Sequence, residues 1–220
     1  MLKKKIKIVL SIPKTIWVNF SCLPFHQAIK LPIWVSYDTK VMLKGGIKID
    51  SKIKFAMIRI GFLQPLACSK ETTRLYILKK GNIIFKGENH LGHGTKIIVR
   101  NNAMLIIGDN FAISGNTTVN CYKKIIFGNN IQFSWDCLVM DSDTHTIIGT
   151  TNQNCNQDKE IIFGNKIWIG CKCTILKGAI IPNNCVIGAC SLVSKGKFEE
   201  NTIIMGTPAK CVKKIASWQL

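Results

Sequence analysis

A chain of 220 residues, 47% of them hydrophobic, is long enough to bury a sizeable core as one domain. With 30 Lys and Arg against 12 Asp and Glu, the net charge is +18, a balance that attracts anions: a coenzyme phosphate, nucleic acid or an anionic membrane. The ten cysteines include no CxxC pair and there is no His cluster at zinc spacing or leader sequence, which argues against a disulfide-stapled secreted domain and for reduced thiols in the cytoplasm.

The N-terminus, MLKKKIKIVLSIPKTIW, is basic, and its apolar run Ile8 to Ile12 stops at Pro13 and Lys14, too short for a leader or a membrane span. Apolar stretches at Thr15 to Phe20 and Ala28 to Val35 are broken by Pro13, Pro24 and Pro32, so residues 1–80 read as an irregular segment packed on or near the main domain. Lys3, Lys4, Lys5, Lys7 and Lys14, close to Trp17 and Phe20, offer a second use: weak peripheral contact with a membrane.

From residue 81 to 200 the chain has a period of six. Ile107, Ile113 and Val119 are apolar at that spacing; Phe127, Phe133 and Val139 resume it after a two-residue slip at Lys123 and Lys124; and Phe163, Ile169, Ile175, Ile181, Ile187 and Val193 continue it. Small residues recur at the fifth position (Cys173, Ala179, Cys185, Ser191), and Gly, Asn and Asp cluster at the corners, as in Gly108-Asp109-Asn110 and Gly128-Asn129-Asn130. Six residues make one short strand and one corner, and three such units make a triangular coil whose aliphatic residues stack inside. Cys137, Cys173 and Cys185 are expected to fill tight interior positions. The polar stretch TIIGTTNQNCNQDK interrupts the repeat and predicts an extruded loop over residues 146–160, and residues 201–220 form a C-terminal tail. His90 and His93 lie at a metal-like spacing but lack a third ligand, so no metal is expected, and His26 has no partner pattern.

The stretch from Phe163 to Ile215, closing in Gly206-Thr207-Pro208-Ala209-Lys210, resembles the final coils and G-x-P-A-[KR] tail of the hexapeptide-repeat acyltransferases, especially sugar and polysaccharide O-acetyltransferases and galactoside and maltose acetyltransferases. Met140 to Ile147, MDSDTHTI, resembles the segment that carries the family's catalytic histidine, whereas Val193-Ser194-Lys195-Gly196 departs from its usual Val-Thr-Lys-Asp. The resemblance implies an all-β fold, a left-handed parallel β-helix, and transfer of an acetyl group from acetyl-CoA to a sugar hydroxyl within a ternary complex. It also implies a homotrimer with active sites between subunits.

A sugar hydroxyl needs a base in the transition state, and His145 is the candidate. Asp143 is expected to orient its ring and Asp141 to bind substrate, with the reverse assignment open. By resemblance, Asn116 contacts the acceptor or the transition-state oxygen; Trp168, Gly170, Cys171, Gly188, Ala189 and Ser194 bind the coenzyme; and Lys195 and Lys213 meet its phosphates. Two alternatives are an N-acetyltransferase acting on a nucleotide-linked amino sugar and a non-catalytic basic solenoid that binds nucleic acid or membrane. On the main reading no nucleic-acid partner is expected.

Overall fold

The computed structural model describes the backbone of residues 2–63 and 71–219, and the side chains of residues 6–63 and 71–219. The chain winds as a left-handed parallel β-helix with three faces. Among the described residues face A has nine strands, face B seven and face C six, and within the coils each strand pairs in parallel with the strand one coil away.

The six-residue positions become vertical ladders in the interior. On face A, Val35, Ile60, Leu91, Ile113, Phe133, Ile169 and Ile187 stack in register. On face B the ladder runs Val41, Leu75, Ile97, Val119, Val139, Ile175, Val193, and on face C it runs Ile49, Phe85, Ile107, Phe127, Phe163, Ile181. Alternating strand residues point into this dry interior, and Phe111, Phe127, Phe133 and Phe163 pack there ring against ring, with neighbouring centroids 4.7–6.0 Å apart. Cys137, Cys173 and Cys185 are buried as expected: Cys137 Sγ donates to the Gly170 carbonyl (3.2 Å) and Cys173 Sγ to that of Gly188 (3.1 Å).

The corners hold a second ladder. Asn129 Oδ1 accepts the Asp109 N–H, Asn165 Oδ1 the Asn129 N–H and Asn183 Oδ1 the Asn165 N–H, each at 2.8 Å. Gly128 is required between them because a Cβ there would stand 2.2 Å from the Gly164 carbonyl oxygen of the next coil.

The solenoid starts well before residue 81. Strands Ile33–Val35, Lys40–Leu43, Gly46–Ile49, Ile58–Ile60 and Arg74–Ile77 already belong to the three faces. They escaped notice because equivalent face A residues there are 25 and 31 positions apart (Ile33 to Ile58 to Asn89), against 18 from Ile167 to Cys185. Nor is the chain before Ile33 irregular: it forms α1 (Leu2–Leu10), α2 (Ile12–Cys22) and α3 (Phe25–Ala28). Pro13 lies in the first turn of α2 and Pro24 caps α3, positions where proline starts helices rather than breaking them.

These helices close the open end of the prism. On α2 and the residue before it, Ser11, Thr15 and Asn19 lie four apart, and they bond alternate residues of the first face A strand and its extension. Ser11 Oγ accepts the Tyr37 N–H (3.0 Å), Thr15 Oγ1 the Val35 N–H (3.0 Å) and Asn19 Oδ1 the Ile33 N–H (3.1 Å), while Asn19 Nδ2 donates to the Ile33 carbonyl (2.7 Å). Four helical residues rise ~6 Å and two strand residues ~6.6 Å, so the two periods run nearly in step. The C-terminal tail forms strands Thr202–Gly206 and Ala209–Lys214, an antiparallel hairpin that extends face A.

Candidate active site at the edge between faces B and C

In the later coils the insertions gather at one edge, where face B passes to face C. Here lie the Tyr122–Lys123 slip and the excursion from Met140 to Ile161, within which the only bridge is Ile148 to Asn154. A corner without the usual Gly and Asn leaves backbone N–H groups that need an acceptor. Asp141 supplies it. Its carboxylate, fully buried, accepts the N–H groups of Tyr122 (2.6 Å), Lys123 (2.9 Å) and Lys124 (2.7 Å). Asp141, expected to bind substrate, thus has both carboxylate oxygens engaged by backbone N–H groups of the corner below.

Asp143, expected to orient the His145 ring, has other partners here. Its carboxylate lies 2.5 Å from Lys177 Nζ and accepts from Asn156 Nδ2 (3.0 Å); Lys177 first and Asn156 second hold its carboxyl below the usual carboxylate range. It ties the excursion to the next coil and is not bonded to the His145 ring.

His145 projects from the excursion. Thr144, just before it, adopts φ +65°, a conformation strained for a β-branched residue, and its N–H donates to Ser142 Oγ (3.0 Å). Thr144 Oγ1 lies 2.9 Å from His145 Nδ1, and Asn156 Nδ2 donates to the His145 carbonyl (2.8 Å). The ring lines a polar cleft of about 290 Å³ together with Tyr122, Ser142, Thr144, Asn154 and Asn156. Thr144, Asn156 and Lys177 were missed in the sequence. The Asn-rich composition of the excursion marked Asn156 only as part of a loop, and Lys177 joins the group solely by stacking one coil away.

Ser194, half-buried, and exposed Lys195 leave face B at this same edge. The remaining candidates stand elsewhere. Gly170 and Cys171, Gly188 and Ala189 are consecutive corners of the edge between faces A and B, joined by Gly170 N–H to the Ile187 carbonyl (2.8 Å) and Cys190 N–H to the Cys171 carbonyl (2.9 Å). Trp168 lies on the outer surface of face A beside them, 43% exposed. Asn116, at φ +49°, occupies the same A–B edge farther up the stack, its N–H bonded to the His93 carbonyl (3.0 Å). Lys213, exposed, sits on the C-terminal hairpin opposite Ile203. The structure thus divides the predicted residues between two edges, separated by the width of face B, ~10–13 Å for strands of three to four residues. His93 Nε2 lies 3.3 Å from Asp38 Oδ2, and among the described residues no three His, Cys, Asp or Glu side chains gather as a metal site.

No family model matches the chain. It is 28% identical over 149 residues, 63% of its length, to a putative lipopolysaccharide biosynthesis O-acetyl transferase of Escherichia coli, of which the match spans 75%. It is 31% identical to a galactoside O-acetyltransferase of Lactococcus lactis over 46% of this chain and 48% of that protein, so the match spans less than half of that relative. An uncharacterized 24.8 kDa protein in the cps region of Klebsiella pneumoniae is 28% identical over 93% of this chain and 89% of its own. Among solved structures, the polySia-specific acetyltransferase NeuO aligns with a TM-score of 0.47 at 18% identity, over 86% of this chain and 79% of that one. In sequence, then, this chain is similar to curated O-acetyltransferases over 46% to 63% of its length, and it carries that similarity on a six-residue repeat wound into a three-faced coil.

Proposed function

We propose that the protein transfers an acetyl group from acetyl-CoA to a hydroxyl of a sugar or surface-polysaccharide precursor, with His145 as general base, and that it works in the cytoplasm as a homotrimer. The observation that carries this reading is the presentation of one imidazole at the mouth of a polar cleft, fixed by Thr144 and Asn156. In the tautomer whose Nδ1–H donates to Thr144 Oγ1, Nε2 is the proton acceptor. The acceptor hydroxyl gives its proton to Nε2 as its oxygen bonds the thioester carbon; the C–S bond then breaks and the proton passes to the departing thiolate. Hydroxyls and amides of Tyr122, Ser142, Asn154 and Asn156 suit a polyhydroxylated acceptor.

Acetyl-CoA supplies the thioester. The A–B edge fits an extended coenzyme arm. Its Gly170–Cys171 and Gly188–Ala189 corners are small, since a Cβ on Gly170 would stand 2.7 Å from the Ala189 nitrogen, and Trp168 offers an exposed ring beside them. Lys213 on the C-terminal hairpin, and Ser194 and Lys195 on the B–C edge of a neighbouring chain, provide a hydroxyl and two cations for polar and phosphate groups. Because the imidazole and this arm lie on different edges, a threefold arrangement that sets one chain's B–C edge against its neighbour's A–B edge completes the site; this supports the trimer.

The test is His145→Ala. Turnover with acetyl-CoA and a panel of sugars is expected to fall roughly a hundred- to ten-thousandfold, with the thermal midpoint unchanged. A variant as fast as the parent removes His145 from the chemistry. Amine and hydroxyl acceptors in the same panel separate N- from O-transfer.

A further inference from the structure

We infer that the helical cap at the N-terminal end of the prism docks on an anionic lipid surface, an inference independent of the transferase reading. The cap is amphipathic in an inverted sense. Its inward face carries Ser11, Thr15 and Asn19 beside Val18, because it must satisfy the open edge of the first face A strand. Its apolar residues are consequently turned outward: Val9, Leu10, Ile16, Trp17 and Phe20 are 44–61% exposed, and Phe25 of α3, whose ring meets Phe20 at 6.0 Å, is 72% exposed. Ile16, Trp17 and Phe20 lie at helical spacing on one face of α2, and Val9 and Leu10 end α1 just before it, so the exposures are grouped rather than scattered.

Charge selects the occupant. Residues 1–37 contain six lysines and no Asp or Glu. Lys7 and Lys14 are committed to backbone carbonyls of Gly61, Tyr37 and Thr39, whereas Lys30 is exposed; the side chains of Lys3, Lys4 and Lys5 lie outside the described residues. A second copy meeting this face symmetrically would set lysines against lysines on a chain of net charge +18. Anionic headgroups have the opposite sign, and an apolar helical stripe carrying Trp and Phe beside Lys matches the boundary between headgroups and acyl chains. Side-by-side association through the prism edges leaves this end uncovered. Among the described residues no helix is long and apolar enough to cross a membrane, so the contact is with the surface. The His145 strand layer, Ile131–Trp135 on face A, is four strand spacings from Ile33–Val35, which places the cleft ~19 Å from the capped end.

The experiment is flotation of the full chain with vesicles of phosphatidylcholine alone or with roughly one-third phosphatidylglycerol. At least tenfold stronger binding to the anionic vesicles, weakening as salt rises, is expected. The double variant Trp17→Glu, Phe20→Glu changes only outward side chains and should lose binding while keeping the parental circular dichroism and thermal midpoint. Should that variant fail to fold, the triple variant Lys3→Gln, Lys4→Gln, Lys5→Gln decides the matter, with an expected loss of about fivefold per lysine. Equal binding to both vesicle types, no binding, or end-to-end self-association of the parent that disappears in the double variant would overturn the inference.

Discussion

Asp141, Asp143 and His145 alternate in the sequence as if along one strand, yet the strand ends at Met140 and each residue meets a different environment. Asp141 turns inward and accepts three N–H groups, Asp143 pairs with Lys177, and His145 faces the cleft. Hydrogen bonds to a charged acceptor contribute ~1.5–3 kcal/mol each without adding fully, so Asp141→Ala should cost on the order of 3 kcal/mol, read as a lower denaturant midpoint. Acetyl transfer by the fraction that stays folded should keep the parental KM for the acceptor; a KM raised tenfold at unchanged stability would return Asp141 to substrate binding. That His145 is a candidate was legible from the residue type and the resemblance. Its neighbours were not, because Thr144, Asn156 and Lys177 converge only through a strained turn, a loop and a stacked coil.

At the level of elements, the hexad was readable wherever each coil holds three six-residue units, as from Ile167 to Cys185. Before Ile107 it fades because connections lengthen: residues 50–57 separate strands Gly46–Ile49 and Ile58–Ile60, and residues 61–73 separate Ile58–Ile60 from Arg74–Ile77. The interior ladder persists there, but its spacing no longer repeats. The N-terminal helices were hidden for another reason. Their buried face mixes Ser11, Thr15 and Asn19 with Val18 while larger apolar residues stay exposed, so an apolar periodicity points to the wrong face. Asn19→Ala tests the match between helix and strand. It leaves the Ile33 N–H and carbonyl without their side-chain partner in a buried setting, and a loss of about 2–4 kcal/mol is expected by thermal or denaturant unfolding. Faster hydrogen exchange at Ile33, with little change at the Ile187 end of face A, would show that the damage starts at the capped end.

For the whole molecule, the separation of the two edges has a direct consequence. If the catalytic imidazole and the Gly188–Ala189 corner act across a subunit boundary, two inactive chains can complement each other. His145→Ala removes the base at one edge, and Ala189→Trp obstructs an exposed corner at the other. Co-expressed, they should form mixed trimers that regain a measurable part of the activity each lacks alone; sedimentation should show the same trimer for parent and mixture. Activity no higher than that of either variant would place both edges' functions within single chains.

The sequence by itself determined the solenoid, since each coil's interior is filled by residues close together in the chain and their spacing prints the fold locally. It also pointed to a histidine beside a polar interruption as the candidate base. Only the tertiary structure decided where the solenoid begins, what caps it, and which side chains share an edge. Those depend on insertions of unequal length that leave the stacking intact while shifting every downstream residue in number, and on hydrogen bonds between coils 17–36 residues apart.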